Sequence, residues 1–126
     1  MKKLLLPTIL LLLLNCNSDD VSEGPTQCCT EVLVYGLKVI VKDLVTANTI
    51  TNGITITAED GEYNEELFRS ENSSYFTGAG ESEGHYIVEV TSNNYQPFIS
   101  NLISVEKTED DCHVITQEIE VLLQPN

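Results

Sequence analysis

Four cysteines, at positions 16, 28, 29 and 112, and two histidines, His85 and His113, carry most of the chemistry this sequence could perform. A thiol can take an acyl chain, close a disulfide, ligate a metal or act as a nucleophile, and its surroundings decide which. Cys28, Cys29, Cys112 and His113 would make a Cys₃His zinc set. Two adjacent pairs match no usual ligand spacing, however, so no metal is expected. The G-x-S-x-G, H-E-x-x-H and phosphate-loop patterns are missing, and no catalytic centre or cofactor is expected. An enzyme using Cys28 as nucleophile stands last among the readings.

The remaining candidates are weaker. Each histidine lies alone in a strand-like stretch, where an ordinary surface or satisfied side chain is the default. The turns Glu59-Asp60-Gly61 and Glu109-Asp110-Asp111 offer hard oxygen donors for calcium, but without a D-x-D-x-D-G loop they read as solvated turns. Tyr75, Phe76, Tyr95 and Phe98 could line a binding patch. In a domain this small, core packing is the simpler expectation for them.

The first cysteine belongs to a different kind of stretch. Lys2 and Lys3 are followed by an apolar run from Leu4 to Leu14, the layout of an export signal. As a helix this run would reach only about 16 Å, roughly half a hydrocarbon core, so a membrane span is excluded. The small-residue A-x-A arrangement of a plain cleaved signal is missing. Leu13-Leu14-Asn15-Cys16 instead resembles the bacterial lipobox, a Leu three places before an obligatory Cys. The resemblance implies cleavage before Cys16, acylation of Cys16 and stable membrane anchoring through more than one chain. The acidic Asn17-Ser18-Asp19-Asp20 resembles the surface-export signal of lipoproteins in one group of Gram-negative bacteria. It implies the outer face of the outer membrane, with the periplasmic face as the alternative.

The division expected is therefore a helical, cleaved signal peptide over residues 1–15, a lipidated cysteine and flexible acidic tether over 16–28, and one domain over 29–126. Twenty acidic residues against six basic give a net charge of −14, and loss of Lys2 and Lys3 makes it more negative. Such a chain repels phosphate backbones, so nucleic acid is excluded as a partner. Solubility, cations or basic partners suit it.

From Cys29 onward the pattern is that of strands. Leu33, Tyr35, Leu37, Val39 and Val41 share one parity, with Gly36 as a candidate bulge. Asn52-Gly53 turns the chain into a second strand with Ile54, Ile56 and Ala58 on one side, and Asp60-Gly61 turns it again. Tyr63, Glu65 and Leu67 suggest a third strand, and Tyr75-Phe76 a short fourth ending before Gly78-Ala79-Gly80. Tyr86, Val88 and Val90 alternate with His85, Ile87 and Glu89 in the fifth. Pro97 opens a sixth over Phe98 to Val105, and Ile115, Ile119, Val121 and Leu123 share the parity of a seventh running from His113 to Leu123. No helical period occurs outside the leader. An all-β, seven-stranded sandwich is expected.

Cys29 stands just before the first strand and Cys112 just before the last. In an antiparallel pair those starts would lie a strand length apart, some 33 Å for ten residues, far beyond the roughly 4.4–6.8 Å between Cα atoms that a disulfide tolerates. A bridge there implies that the first and last strands run parallel, side by side. Cys28 is the alternative partner, because strand neighbours point opposite ways.

The segments Val39-Ile40-Val41-Lys42-Asp43, Gly53 to Ala58, Asp60-Gly61, Gly84 to Val90 and Asn94-Tyr95-Gln96-Pro97 together resemble the carboxypeptidase regulatory-like domain, a small transthyretin-like (prealbumin-like) β-sandwich. The match spans about Val32 to Pro125, with Asn94 where that family usually has Gly. It implies the transthyretin-like fold and an accessory or presentation role without a catalytic centre. Transthyretin-like enzymes that open a purine-derived ring use His, Arg and a terminal Tyr-Arg-Gly-Ser. Here Arg69 is the sole arginine and the chain ends Leu122-Leu123-Gln124-Pro125-Asn126, so that activity is excluded. The function expected is a non-enzymatic, lipid-anchored envelope module. It would contact the membrane through Cys16 and an unidentified envelope protein or glycan, or else act as a spacer with no ligand.

Overall fold

The computed structural model describes residues 29–126. Cys16, Cys28, the leader and the tether lie outside the described residues. The chain folds into eight strands: β1 (Tyr35–Asp43), β2 (Ile54–Asp60), β3 (Tyr63–Glu66), β4 (Phe76–Gly80), β5 (Gly84–Ser92), β6 (Phe98–Ile99), β7 (Ile103–Val105) and β8 (Gln117–Leu123). They form a three-stranded sheet, β4-β1-β8, and a five-stranded sheet, β3-β2-β5-β6, with β7 also on β5. The described residues contain no helix.

The two sheets share one core, in a sandwich-like arrangement. Leu37, Val39 and Val41 of β1 and Val121 and Leu123 of β8 meet Ile56, Ala58, Tyr86, Val88 and Val90 of β2 and β5. Each set follows the two-residue period of its strand, so one face is apolar and buried while the other carries Lys38, Lys42, Glu118 and Glu120. Leu33 and Ile115, which share that parity in the sequence, fall outside the strands and are exposed.

β1 and β8 run parallel, from Leu37 opposite Gln117 to Asp43 opposite Leu123. The bond between Cys29 and Cys112, with Cα atoms 5.2 Å apart, closes the end at which both strands begin. The parallel pairing inferred from the cysteines is therefore present.

Three sequence expectations need correction. The sixth strand is two short strands, making eight rather than seven. Glu89 lies opposite Ile99, yet Tyr86 lies opposite Ile103, a register displaced by one residue. The extra residue is accommodated at Ser100–Leu102, where the Ser100 hydroxyl accepts the Val88 amide at 2.8 Å and donates to the Asn101 carbonyl at 2.7 Å. This is a bulge: one side chain takes over a ladder position that the backbone vacates.

Gly36 is not a bulge, because the β1–β4 register runs unbroken past it, from Tyr35 opposite Gly80 to Leu37 opposite Gly78. It is a close approach instead. A Cβ there would stand 2.7 Å from Val105 Cγ1 and 3.1 Å from the Ala79 carbonyl oxygen. Gly78-Ala79-Gly80 likewise does not end the fourth strand but forms most of it. A Cβ at Gly78 would meet Leu67 Cγ at 2.8 Å, so the glycine lets a buried leucine lie against the strand.

Candidate functional site

Two places gather side chains with chemical potential. The first is the end of the sandwich closed by the disulfide. The chain leaving β4 turns at Glu81, which adopts φ +49°, in the left-handed region that a non-glycine residue seldom occupies. A two-way lock to Val34 holds it there. The Glu81 amide donates to the Val34 carbonyl at 2.8 Å, and the Val34 amide donates to Glu81 Oε2 at 2.9 Å. The same oxygen lies 2.6 Å from His113 Nδ1, and His113 Nε2 lies 2.7 Å from Thr30 Oγ1.

A carboxylate only accepts, so Nδ1 carries the ring proton. Nε2 then accepts from the Thr30 hydroxyl when the ring is neutral and donates to it when charged. The His113 hydrogen bond, supported by the Val34 amide, holds the Glu81 carboxyl below its ordinary range. One step away, the Thr108 hydroxyl and the Cys112 amide lower Asp110 in the same way.

This arrangement is a brace. Both sulfurs are joined to each other and both His113 nitrogens have protein partners, so Cys29, Cys112 and His113 are not presented as zinc ligands. A shallow depression of about 320 Å³ beside them is lined by Thr30, Leu33, Lys107 and His113. Of the acidic turn residues, Asp60 and Asp110 are turned to the chain itself. Asp60 Oδ2 accepts the His85 amide at 3.0 Å, and Asp110 serves Thr108 and Cys112. Among the described residues, no three His, Cys, Asp or Glu side chains are grouped to hold a metal.

The aromatic candidates do not converge. Phe76 is buried in the core, and the Tyr95 hydroxyl donates to Asp43 Oδ2 at 2.7 Å. Tyr75 lies under the Lys38 ammonium, 4.0 Å from the ring centre, while Phe98 packs against the core edge. His85 Nδ1 pairs with Ser104 Oγ at 2.9 Å across β5 and β7.

The second place is the outward face of the five-stranded sheet. Glu59 lies opposite Ile87, and Glu89 opposite both Thr57 and Ile99. The bulge after Ser100 brings Leu102 to the same face, and a groove of about 390 Å³ runs between these side chains. Ile87, Ile99 and Leu102 are 40%, 65% and 61% exposed. Together they make a small aliphatic patch on that face.

Sequence reading placed Ile87 and Glu89 on the polar side of β5 but missed the patch. The position of Leu102 depends on a one-residue bulge that no glycine or proline announces. The Glu81–His113 pair was also missed, since loop residues 32 positions apart leave no periodic signal. The chain matches no family model, and no curated protein resembles it closely enough to count as a relative.

Proposed function

We propose that this chain is a non-enzymatic bacterial lipoprotein, anchored at the outer membrane through an acylated Cys16, whose β-domain is an accessory or binding module facing the cell exterior. The finer fold assignment belongs to the same reading: a transthyretin-like sandwich of the carboxypeptidase regulatory-like kind. The observation that carries it is the Cys29–Cys112 disulfide. Disulfides of this structural type persist in oxidising compartments, and an export signal ending at Cys16 leads to one. The sheet order β4-β1-β8, with parallel first and last strands, is compatible with the fold.

A binding role is favoured over a bare spacer by the uncovered Ile87–Ile99–Leu102 patch, since a spacer gains nothing from apolar side chains held in water. The test is Cys16→Ser in the producing cell. The wild-type protein is expected to fractionate with membranes and to carry the mass of its acyl chains. The variant is expected to lose both. A variant that still partitions with lipid at unaltered mass overturns the anchor.

A further inference from the structure

The geometry points to the outward face of the five-stranded sheet as a docking site for a basic, partly apolar polypeptide segment of another protein. This deepens the binding-module reading but does not depend on the lipid at Cys16.

The floor of the site is aliphatic. Ile87, Ile99 and Leu102 come from β5, β6 and the bulge that follows, and the pairing register fixes them beside one another. Their wall is acidic. Glu59 is the cross-strand neighbour of Ile87, and Glu89 that of Ile99. Asp60 closes one end, held by the His85 amide.

The cations of the described residues are all engaged elsewhere. Lys38 and Lys42 face Glu118 and Glu120 on the other sheet, and Lys107 faces Glu83. Arg69 donates to the carbonyls of Ser70, Glu71 and Ser73. Among the described residues, neither Glu59 nor Glu89 has an ion-pair partner, so both carboxylates are free to meet a cation from another molecule. An apolar centre flanked by unpaired carboxylates fits a partner with aliphatic and Lys or Arg side chains.

The other occupants fit less well. A second copy would set the acidic walls of the two faces together. An anionic lipid surface is repelled by the same wall. Docking on the face is also the geometry the edge allows: the extra residue between β6 and β7 interrupts the ladder, which obstructs addition of a further strand.

The test uses the chain as isolated from its producing cells and a fluorescent peptide of sequence Lys-Ile-Lys-Leu-Lys, read by anisotropy. Saturable binding is expected. The paired substitution Ile99→Ser with Leu102→Ser should weaken it about tenfold or more, from the apolar area lost. Glu89→Gln should weaken it too, while Glu118→Gln on the other sheet should not. Both altered side chains of the pair are exposed, and the melting temperature checks that the fold survives.

Several outcomes would overturn the proposal: no saturation, equal binding of Lys-Ser-Lys-Ser-Lys, or binding indifferent to the patch substitutions. Self-association, or binding of a neutral oligosaccharide, that is abolished by the same pair would reassign the face to that occupant. A membrane-anchored protein that fails these tests sinks this inference alone. One released by Cys16→Ser that still binds normally shows the two readings to be separable.

Discussion

The Tyr95 hydroxyl donates to Asp43 Oδ2 at 2.7 Å, joining residues 52 positions apart. Asp43 ends β1 and its other oxygen accepts the amides of Val45 at 2.7 Å and Thr46 at 2.9 Å. One carboxylate thus folds the turn after β1 and ties it to the loop after β5. The two short motifs Val39 to Asp43 and Asn94 to Pro97, far apart in the sequence, meet in this bond. Asp43→Ala is expected to lower the melting temperature more than Tyr95→Phe. The first frees two backbone amides as well as the phenol, whereas the second removes one bond. Equal effects would mean that the turn does not need its cap.

Acid should loosen the domain through three such carboxylates. Asp43 is held below its ordinary value by the Thr46 amide and the Tyr95 hydroxyl, Glu81 by His113, and Asp110 by the Thr108 hydroxyl. Each folded-state value is lower than the unfolded one, so each contribution is complete above the unfolded values of 3.8 and 4.5 and is lost as pH falls through the folded values. Chemical-denaturation midpoints are expected to hold steady at neutral pH and decline once pH drops below about 4.5, the unfolded glutamate value. Glu81→Gln should flatten that decline. A midpoint that rises on acidification would contradict the sign.

How much of this could be read in advance follows from the range of each interaction. The parities of Leu37-Val39-Val41, Ile56-Ala58, Tyr86-Val88-Val90 and Val121-Leu123 are local, and all these residues are buried as that period requires. The parallel β1–β8 pairing was also legible, because a covalent bond has a fixed reach. Gly36 and Gly78 were misread for the opposite reason. What each glycine spares, Val105 and Leu67, comes from distant segments. The bulge at Ser100–Leu102 is one residue long and is built from a serine hydroxyl, which leaves no punctuation in the sequence.

Gly36 offers a direct check on packing. Gly36→Ala would drive a methyl group against Val105 Cγ1 and the Ala79 carbonyl. Val105 is buried and the carbonyl belongs to the neighbouring strand, so neither yields easily. A loss of about 1–3 kcal/mol in unfolding free energy is expected from overpacking. A neutral outcome would show that β7 can shift outward freely.

Alkali should act on a different residue. The Tyr63 hydroxyl donates to Glu65 Oε1 at 2.7 Å, and that oxygen also accepts the Ala79 amide at 2.8 Å. Ionisation would set a phenolate against a carboxylate, and the Tyr63 hydroxyl is pushed up to about 12. Because the folded value exceeds the unfolded 10, this contribution is complete below pH 10 and is lost as pH rises through about 12. Burial raises the Tyr86 hydroxyl and the Asp43 bond raises that of Tyr95, so phenolate absorbance should show a late phase that Tyr63→Phe diminishes without abolishing. If that variant leaves the late phase untouched, the hydrogen bond to Glu65 does not form in solution.

The disulfide should carry the largest single share of stability. It closes a loop between residues 83 positions apart, and the chain-entropy model assigns such a closure about 4–5 kcal/mol. A domain's whole stability is only about 5–15 kcal/mol, so reduction should bring the fold near its limit. Residues 29–34 would then be held mainly by the Val34–Glu81 lock and the Thr30–His113 bond, both at the same end. Cys112→Ser and Cys29→Ser are each expected to lower stability by this amount, and the double variant by no more than either alone, since both break one bond. A Cys29→Ser protein nearly as stable as wild type, against a crippled Cys112→Ser, would mean that another thiol can take the place of Cys29. The pairing at the head of β1 would then be exchangeable.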